Sequence, residues 1–188
     1  WAQIFFVKFF GFNELAVRLP SAICGALTAI LLFSFLKKRF GNEWAWSSFL
    51  ILVTSTGFIS FHGTRTGDTD AMFTLFLFLN NIFFFKILTE EENNNKNIFF
   101  YCAFLCFAFL TKSVAAFMFL PPHLLLLVYH KKIKNVFTLV SFYLGFLFFI
   151  FVCFCVVWRR DKGQPGFLHF IWTNDVLKIS EIKDGHNE

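Results

Sequence analysis

The sequence predicts an all-α, polytopic integral membrane protein with about six transmembrane helices and an N-terminal interfacial helix. Three observations predict it. Hydrophobic residues make up 57% of the 188 and aromatic residues 22%, with a mean hydropathy of +0.63, whereas a soluble domain has an apolar content of ~45–50%. Several apolar windows approach the ~20 residues that a helix needs to cross a bilayer core. Lys and Arg fall in short groups between those windows, where loop charges lie. The 33 Phe read as one greasy residue used where several would serve, not as an aromatic cofactor box.

Residues 1–12 mix aromatics with one charge, Lys8, which suits a helix in the interface plane, and Gly11 ends it. Asn13 is placed to cap the next helix. That helix carries Glu14 and Arg18 in its first turns and runs apolar through Pro20 to Leu36. A proline so early removes an N–H at little cost. Lys37, Lys38 and Arg39 close the run. Further spans are predicted at 44–61 and 71–88, and then a solvated loop at 89–97, TEEENNNKN. The apolar stretch 98–129 is broken by Thr111-Lys112-Ser113 and by Pro121-Pro122. It reads as a hairpin of two short helices with Lys112 at or below the membrane surface. A last span at 137–158 leads into a polar tail. The chain thus divides into a transmembrane core, 1–158, and an extracytoplasmic loop, 159–188. Trp44, Trp46 and Trp158 fall at span ends, where amphipathic rings prefer to lie.

The net charge of +5 comes without a basic stripe, so no nucleic-acid partner is expected. Cys24, Cys102, Cys106, Cys153 and Cys155 all lie in apolar runs without a zinc spacing shared with His. They read as small core hydrophobes. Alternating spans put Arg18, the cluster 62–70 (HGTRTGDTD), Lys112 and the tail on one side of the membrane, and 37–39 and 130–134 on the other. The second side carries eight Lys and Arg against nine, or against four once the tail from 159 onward is set aside. The positive-inside rule, applied to the short loops, makes the first side extracytoplasmic.

That face gathers Arg18, Arg65, Asp68, Asp70, Lys112 and Lys178 from four segments. A lone charge near lipid is usually a snorkelling side chain, and alternation forces some convergence. Four segments meeting at one face also suit a built site. Several cations with one or two carboxylates, open to lipid, fit one chemistry: parting a sugar from a lipid phosphate. The cations stabilise charge growing on phosphate oxygens. A carboxylate orients or deprotonates the acceptor hydroxyl, and apolar helices hold a polyprenyl tail. Asp68-Thr69-Asp70 is also a D-x-D that could hold a divalent metal, although two carboxylates are few ligands for Mg²⁺ or Mn²⁺. Capping of the next helix by one Asp is the simpler role. The alternative is a transporter or lipid-linked glycan flippase, with Arg65, Asp68, Asp70 and Lys112 along a translocation path. Inverted repeats would favour that alternative, and none is visible.

Residues 10–22, FGFNELAVRLPSA, resemble the FG-x-N/S-E-x-x-x-RLPSA segment of bacterial GT-C glycosyltransferases. These are the relatives of protein O-mannosyltransferases and of the lipid A aminoarabinose transferase. Residues 65–72, RTGDTDAM, resemble their second external-loop motif, an Arg followed by an Asp that opens a helix. Leu110-Thr111-Lys112-Ser113 resembles their L-T-K-G, with Ser for Gly. The three stand in the family's order, on one side, across most of residues 1–130. In the tail, 170–178 (FIWTNDVLK) resembles an aromatic-rich loop that in the aminoarabinose transferase carries Glu-His and then Arg. Here Asn174-Asp175 and Lys178 stand instead, and Lys lacks the bidentate fork of Arg.

The resemblance implies an inner-membrane transferase that moves a hexose or pentose from a polyprenyl-phosphate-linked donor to lipid A, a protein hydroxyl or a glycan. Transfer would occur on the extracytoplasmic face, with inversion. By this resemblance Asp70 and Asp68 take the catalytic positions, with Asp70 shaping the acceptor region and Arg65 holding it or touching phosphate. Lys112 and Lys178 neutralise the leaving phosphate. Arg18 braces the interfacial helix or the same phosphate, and His186 matches a His that some relatives show before an aromatic run. The implied partners are membrane lipid, the lipid-linked sugar and the acceptor; no cofactor is implied beyond a possible divalent metal. The family's first helix and the acidic motif with its principal catalytic Asp are expected upstream of Trp1, so residues 1–188 alone are expected to be inactive. His123, beside Pro121-Pro122, reads as a packed or pore-side residue without chemistry.

Overall fold

The computed structural model describes residues 2–59, 67–90, 94–132 and 140–163, and all regular structure among them is helical. Helix α1 (Ala2–Phe10) ends at Gly11, whose φ of 77° a side chain would oppose. Asn13 then caps α2 (Glu14–Phe40), its side chain accepting from the N–H groups of Leu15 at 2.6 Å and Ala16 at 3.4 Å. Gly41 ends α2, and α3 (Asn42–Thr54) follows. Extended backbone at Ser55 separates α3 from the single turn α4 (Thr56–Ile59). Next come α5 (Asp70–Thr89) and α6 (Asn94–Lys112), a 3₁₀ stretch over Ser113–Phe119, α7 (Leu120–Tyr129) and α8 (Val140–Gly163).

Two of these helices, α2 with 27 residues and α5 with 20, are long and apolar enough to cross a bilayer. At 1.5 Å per residue they reach ~40 and ~30 Å. The span expected at 44–61 differs in the structure. Its described part is the 13-residue α3, ~20 Å long, broken at Ser55 from the single turn α4; residues 60 and 61 lie outside the described set. At the break Ser55 has extended backbone, and Thr54 Oγ1 bonds back to the Leu50 carbonyl at 2.7 Å. The loop expected at 89–97 is also shorter than its composition suggested. Helix α6 begins at Asn94, so the first arm of the hairpin has 19 residues and is not a short helix. The first turn of a helix leaves its N–H groups unpaired within the helix, and Asn is well suited there. At the other end of the chain α8 continues past Trp158 through residues 159–163.

Helix α5 is the hub. One flank packs Ala71 and Leu75 against Cys24 of α2. Another packs Leu77 against Ala108 of α6 and Ala116 of the 3₁₀ stretch. Farther along, Phe84 and Ile87 meet Ile98, Cys102 and Leu127. Cys24, Cys102 and Cys106 are buried, the small core residues expected of them. Helices α2 and α5 start at the same end, since Ser21 bonds to the main chain of Asp68, and finish at the same end, where Arg39 pairs with Glu90. Many Phe and Leu side chains point outward, Phe9 and Leu125 being about 70% exposed. In water that much bare apolar surface would drive association; in lipid it is the solvent-facing surface.

Candidate functional site at one end of the helices

Helix α5 opens with Asp70 as its first residue, after Thr69 at the cap position. Thr69 has helical backbone angles and its side chain makes no capping bond, while Asp70 stands in the first turn, at the positive end of the helix, as expected of one Asp. Its carboxylate also meets Lys112, with Nζ to Oδ1 at 2.7 Å. Lys112 is the last residue of α6, at the point where the helix tightens into 3₁₀ geometry. Each charge sits at the helix end that suits it, the anion at an N-terminus and the cation at a C-terminus. The Lys112 ammonium also lies 5.9 Å from the ring centroid of Phe73, close enough for a cation–π contact. The pair is about a third exposed, 39% for Lys112 and 32% for Asp70. Two motifs 42 positions apart in the chain therefore join in one ion pair at the edge of the bundle.

Asp68 lies two residues before Asp70. Its backbone carbonyl accepts from Ser21 Oγ at 2.9 Å, and the carbonyl of Gly67 accepts from the Gln3 side chain. The loop that delivers Asp70 is thereby fixed to the α1–α2 elbow by its main chain. Arg18 lies on the same elbow but is not joined to Lys112 and Asp70 by a described ion pair. It pairs with Glu14 one turn back, at 2.5 Å, and lines a shallow cavity of about 380 Å³ with Phe12, Asn13, Val17 and Gly67. Arg65, Lys178 and His186 lie outside the described residues.

Among the described residues no three His, Cys, Asp or Glu side chains converge as a metal site.

Sequence reasoning passed over a second polar assembly, deep between α5, α6 and α7. His123 is buried, with Nδ1 3.0 Å from the Tyr101 hydroxyl and Nε2 3.0 Å from Asn81 Oδ1. Its ring stacks on Phe84 at 3.9 Å. Asn80, fully buried, donates to the Tyr101 carbonyl at 2.7 Å. Beside these residues is an apolar cavity of about 220 Å³ whose walls include Ile87, Leu105, Phe117 and Phe149. It shares no residue with the Asp70–Lys112 pair. His123 is packed, as expected, but through two hydrogen bonds. The available signal was the pair Asn80-Asn81 in the middle of an apolar run.

With this geometry in place, a comparison with protein families matches residues 1–158 to the family model described as dolichyl-phosphate-mannose-protein mannosyltransferase. Against the curated proteins and against the solved structures the chain has no significant match.

Proposed function

Because the chain belongs to the dolichyl-phosphate-mannose-protein mannosyltransferase family of GT-C-type glycosyltransferases, we propose that the Asp70–Lys112 end of the bundle is its sugar-transfer face. The donor is a sugar on a polyprenyl phosphate, the acceptor a hydroxyl of a protein, glycan or lipid, and the face extracytoplasmic. The observation that carries this reading is the 2.7 Å contact between Asp70 and Lys112, which joins two separate motifs beside lipid-facing helices.

The acceptor oxygen attacks the anomeric carbon and forms the new glycosidic bond from the side opposite the phosphate. The bond from that carbon to the phosphate oxygen breaks, and its electron pair leaves with the lipid phosphate. Direct displacement inverts the anomeric configuration. Lys112, a compact cation at a helix end, stabilises the charge growing on the phosphate. Asp70 faces the acceptor and orients its hydroxyl, whose proton passes to a carboxylate. An ion pair this exposed contributes about 1 kcal/mol or less, so an arriving phosphate can take Lys112 from Asp70 without a large penalty.

The test uses the intact protein in proteoliposomes with a polyprenyl-phosphate sugar. Lys112→Met is expected to lower turnover about 10²–10³-fold, the usual loss of one transition-state charge partner, and to weaken donor binding. Asp70→Asn is expected to lower turnover at least 10²-fold while the donor still binds. Normal turnover in both variants would reject the reading.

A further inference from the structure

We infer that Ser21 is a positioning residue for Asp70, acting with Gly67 as a strap that sets where α5 begins; this rests on the transfer-face reading above. Ser21 is buried at 4% exposure on α2, one residue after Pro20. Its hydroxyl donates to the Asp68 carbonyl at 2.9 Å. That carbonyl belongs to the loop preceding α5, so the bond fixes the loop and not the α5 ladder. One residue earlier, the Gly67 main chain lies flat on α2. A Cβ built there would stand 2.7 Å from Val17 Cγ1 and 3.1 Å from the Val17 carbonyl oxygen. It would also stand 3.1 Å from Gln3 Nε2, the same amide that donates to the Gly67 carbonyl.

Two consecutive peptide carbonyls are thus held by side chains of α1 and α2, and the chain between them and α2 has no room for a methyl group. Asp70 follows within three residues. Its carboxylate is placed by a main chain that α2 holds, and it is met by a lysine that α6 supplies. Displacement of a reacting group by ~1 Å can cost ~10²-fold in rate, so a strap at this point governs chemistry without touching substrate. None of Gln3, Val17, Ser21 and Gly67 carries a charge, which is why a search for charged residues passes over them.

The experiment measures kcat and donor KM for Ser21→Ala and Gly67→Ala in the intact protein, beside Asp70→Asn, with melting temperature as a control. Ser21→Ala is expected to lower kcat about tenfold with donor KM within about twofold, assayed well below its melting point. Gly67→Ala should show the same signature. Adding Val17→Ala removes the nearest clashing atom and should restore part of the lost kcat, which also covers the case in which Gly67→Ala alone folds poorly. If Asp70→Asn is inactive while Ser21→Ala and the double variant turn over normally, the strap is refuted and the transfer face stands. If kcat falls only in step with melting temperature and KM rises equally, Ser21 is a general packing residue and the inference is again refuted. Full activity in Asp70→Asn and Lys112→Met would remove the transfer face itself.

Discussion

At the scale of single residues, His123 shows how a buried polar group is made tolerable in an apolar bundle. Asn81 Oδ1 only accepts, so the facing Nε2 of His123 must carry a proton and donate. In a neutral ring Nδ1 then accepts, and the Tyr101 hydroxyl is its donor. The Asn81 amide in turn donates to the Leu77 carbonyl at 2.7 Å. Every bond in this chain has a defined direction. His123→Phe preserves a ring over Phe84 but strands the Tyr101 hydroxyl and Asn81 Oδ1, at about 1–3 kcal/mol for each stranded group. In detergent the expected result is a clear fall in melting temperature, at least about 4 °C; an unchanged value would show that the chain of bonds contributes nothing to stability. Charged residues at the membrane edge were legible in the sequence, and Asp70 and Lys112 came together as their motifs implied. The His123 chain was not legible, because Tyr, His and Asn among Phe and Leu have no fixed spacing across three helices.

At the scale of elements, α6 and α8 approach each other closely at Gly145. A Cβ on Gly145 would come within 2.6 Å of Cys102 Cβ and 2.9 Å of its sulfur. Without a hydrophobic drive between helices in lipid, such close approach of small residues is a main source of association. Gly145→Leu is expected to push α8 off α6 at a cost of about 1–3 kcal/mol. The effect can be read as increased protease sensitivity of α8, and Gly145→Ala should show a smaller one. The start of α2 could be read from Asn13 and its end nearly so from Lys37–Lys38–Arg39, because caps and charges act locally. The start of α6 could not. Residues 94–97 look like loop by composition, yet Asn97 is buried, and only neighbouring helices decide that. The end of α3 at Ser55 is likewise hidden by an apolar average.

At the scale of the whole molecule, charge is sorted between two ends. Glu14, Arg18, Asp70 and Lys112 occupy one; Arg39 and Glu90, with Lys131 beyond α7, occupy the other. If the bundle spans the membrane as its family and its apolar helices require, a thiol at Glu14→Cys is labelled by an impermeant reagent from one side only, and one at Lys131→Cys only from the other. These two are made in a variant with the natural cysteines replaced. Labelling of both from the same side would contradict the arrangement of α2, α5 and α7. Alternation of apolar runs already predicted this sorting from sequence. Which helices share an end, and that α5 stands among the others, needed the coordinates.

Helix α5 is fastened at three heights to three different neighbours: to α6 through Lys112, to α7 through Asn81 and His123, and to α2 through Arg39. A stroke of one helical turn, ~5.4 Å, along its own axis would undo all three fastenings together. Helix α5 therefore keeps its axial register only while all three neighbours keep theirs.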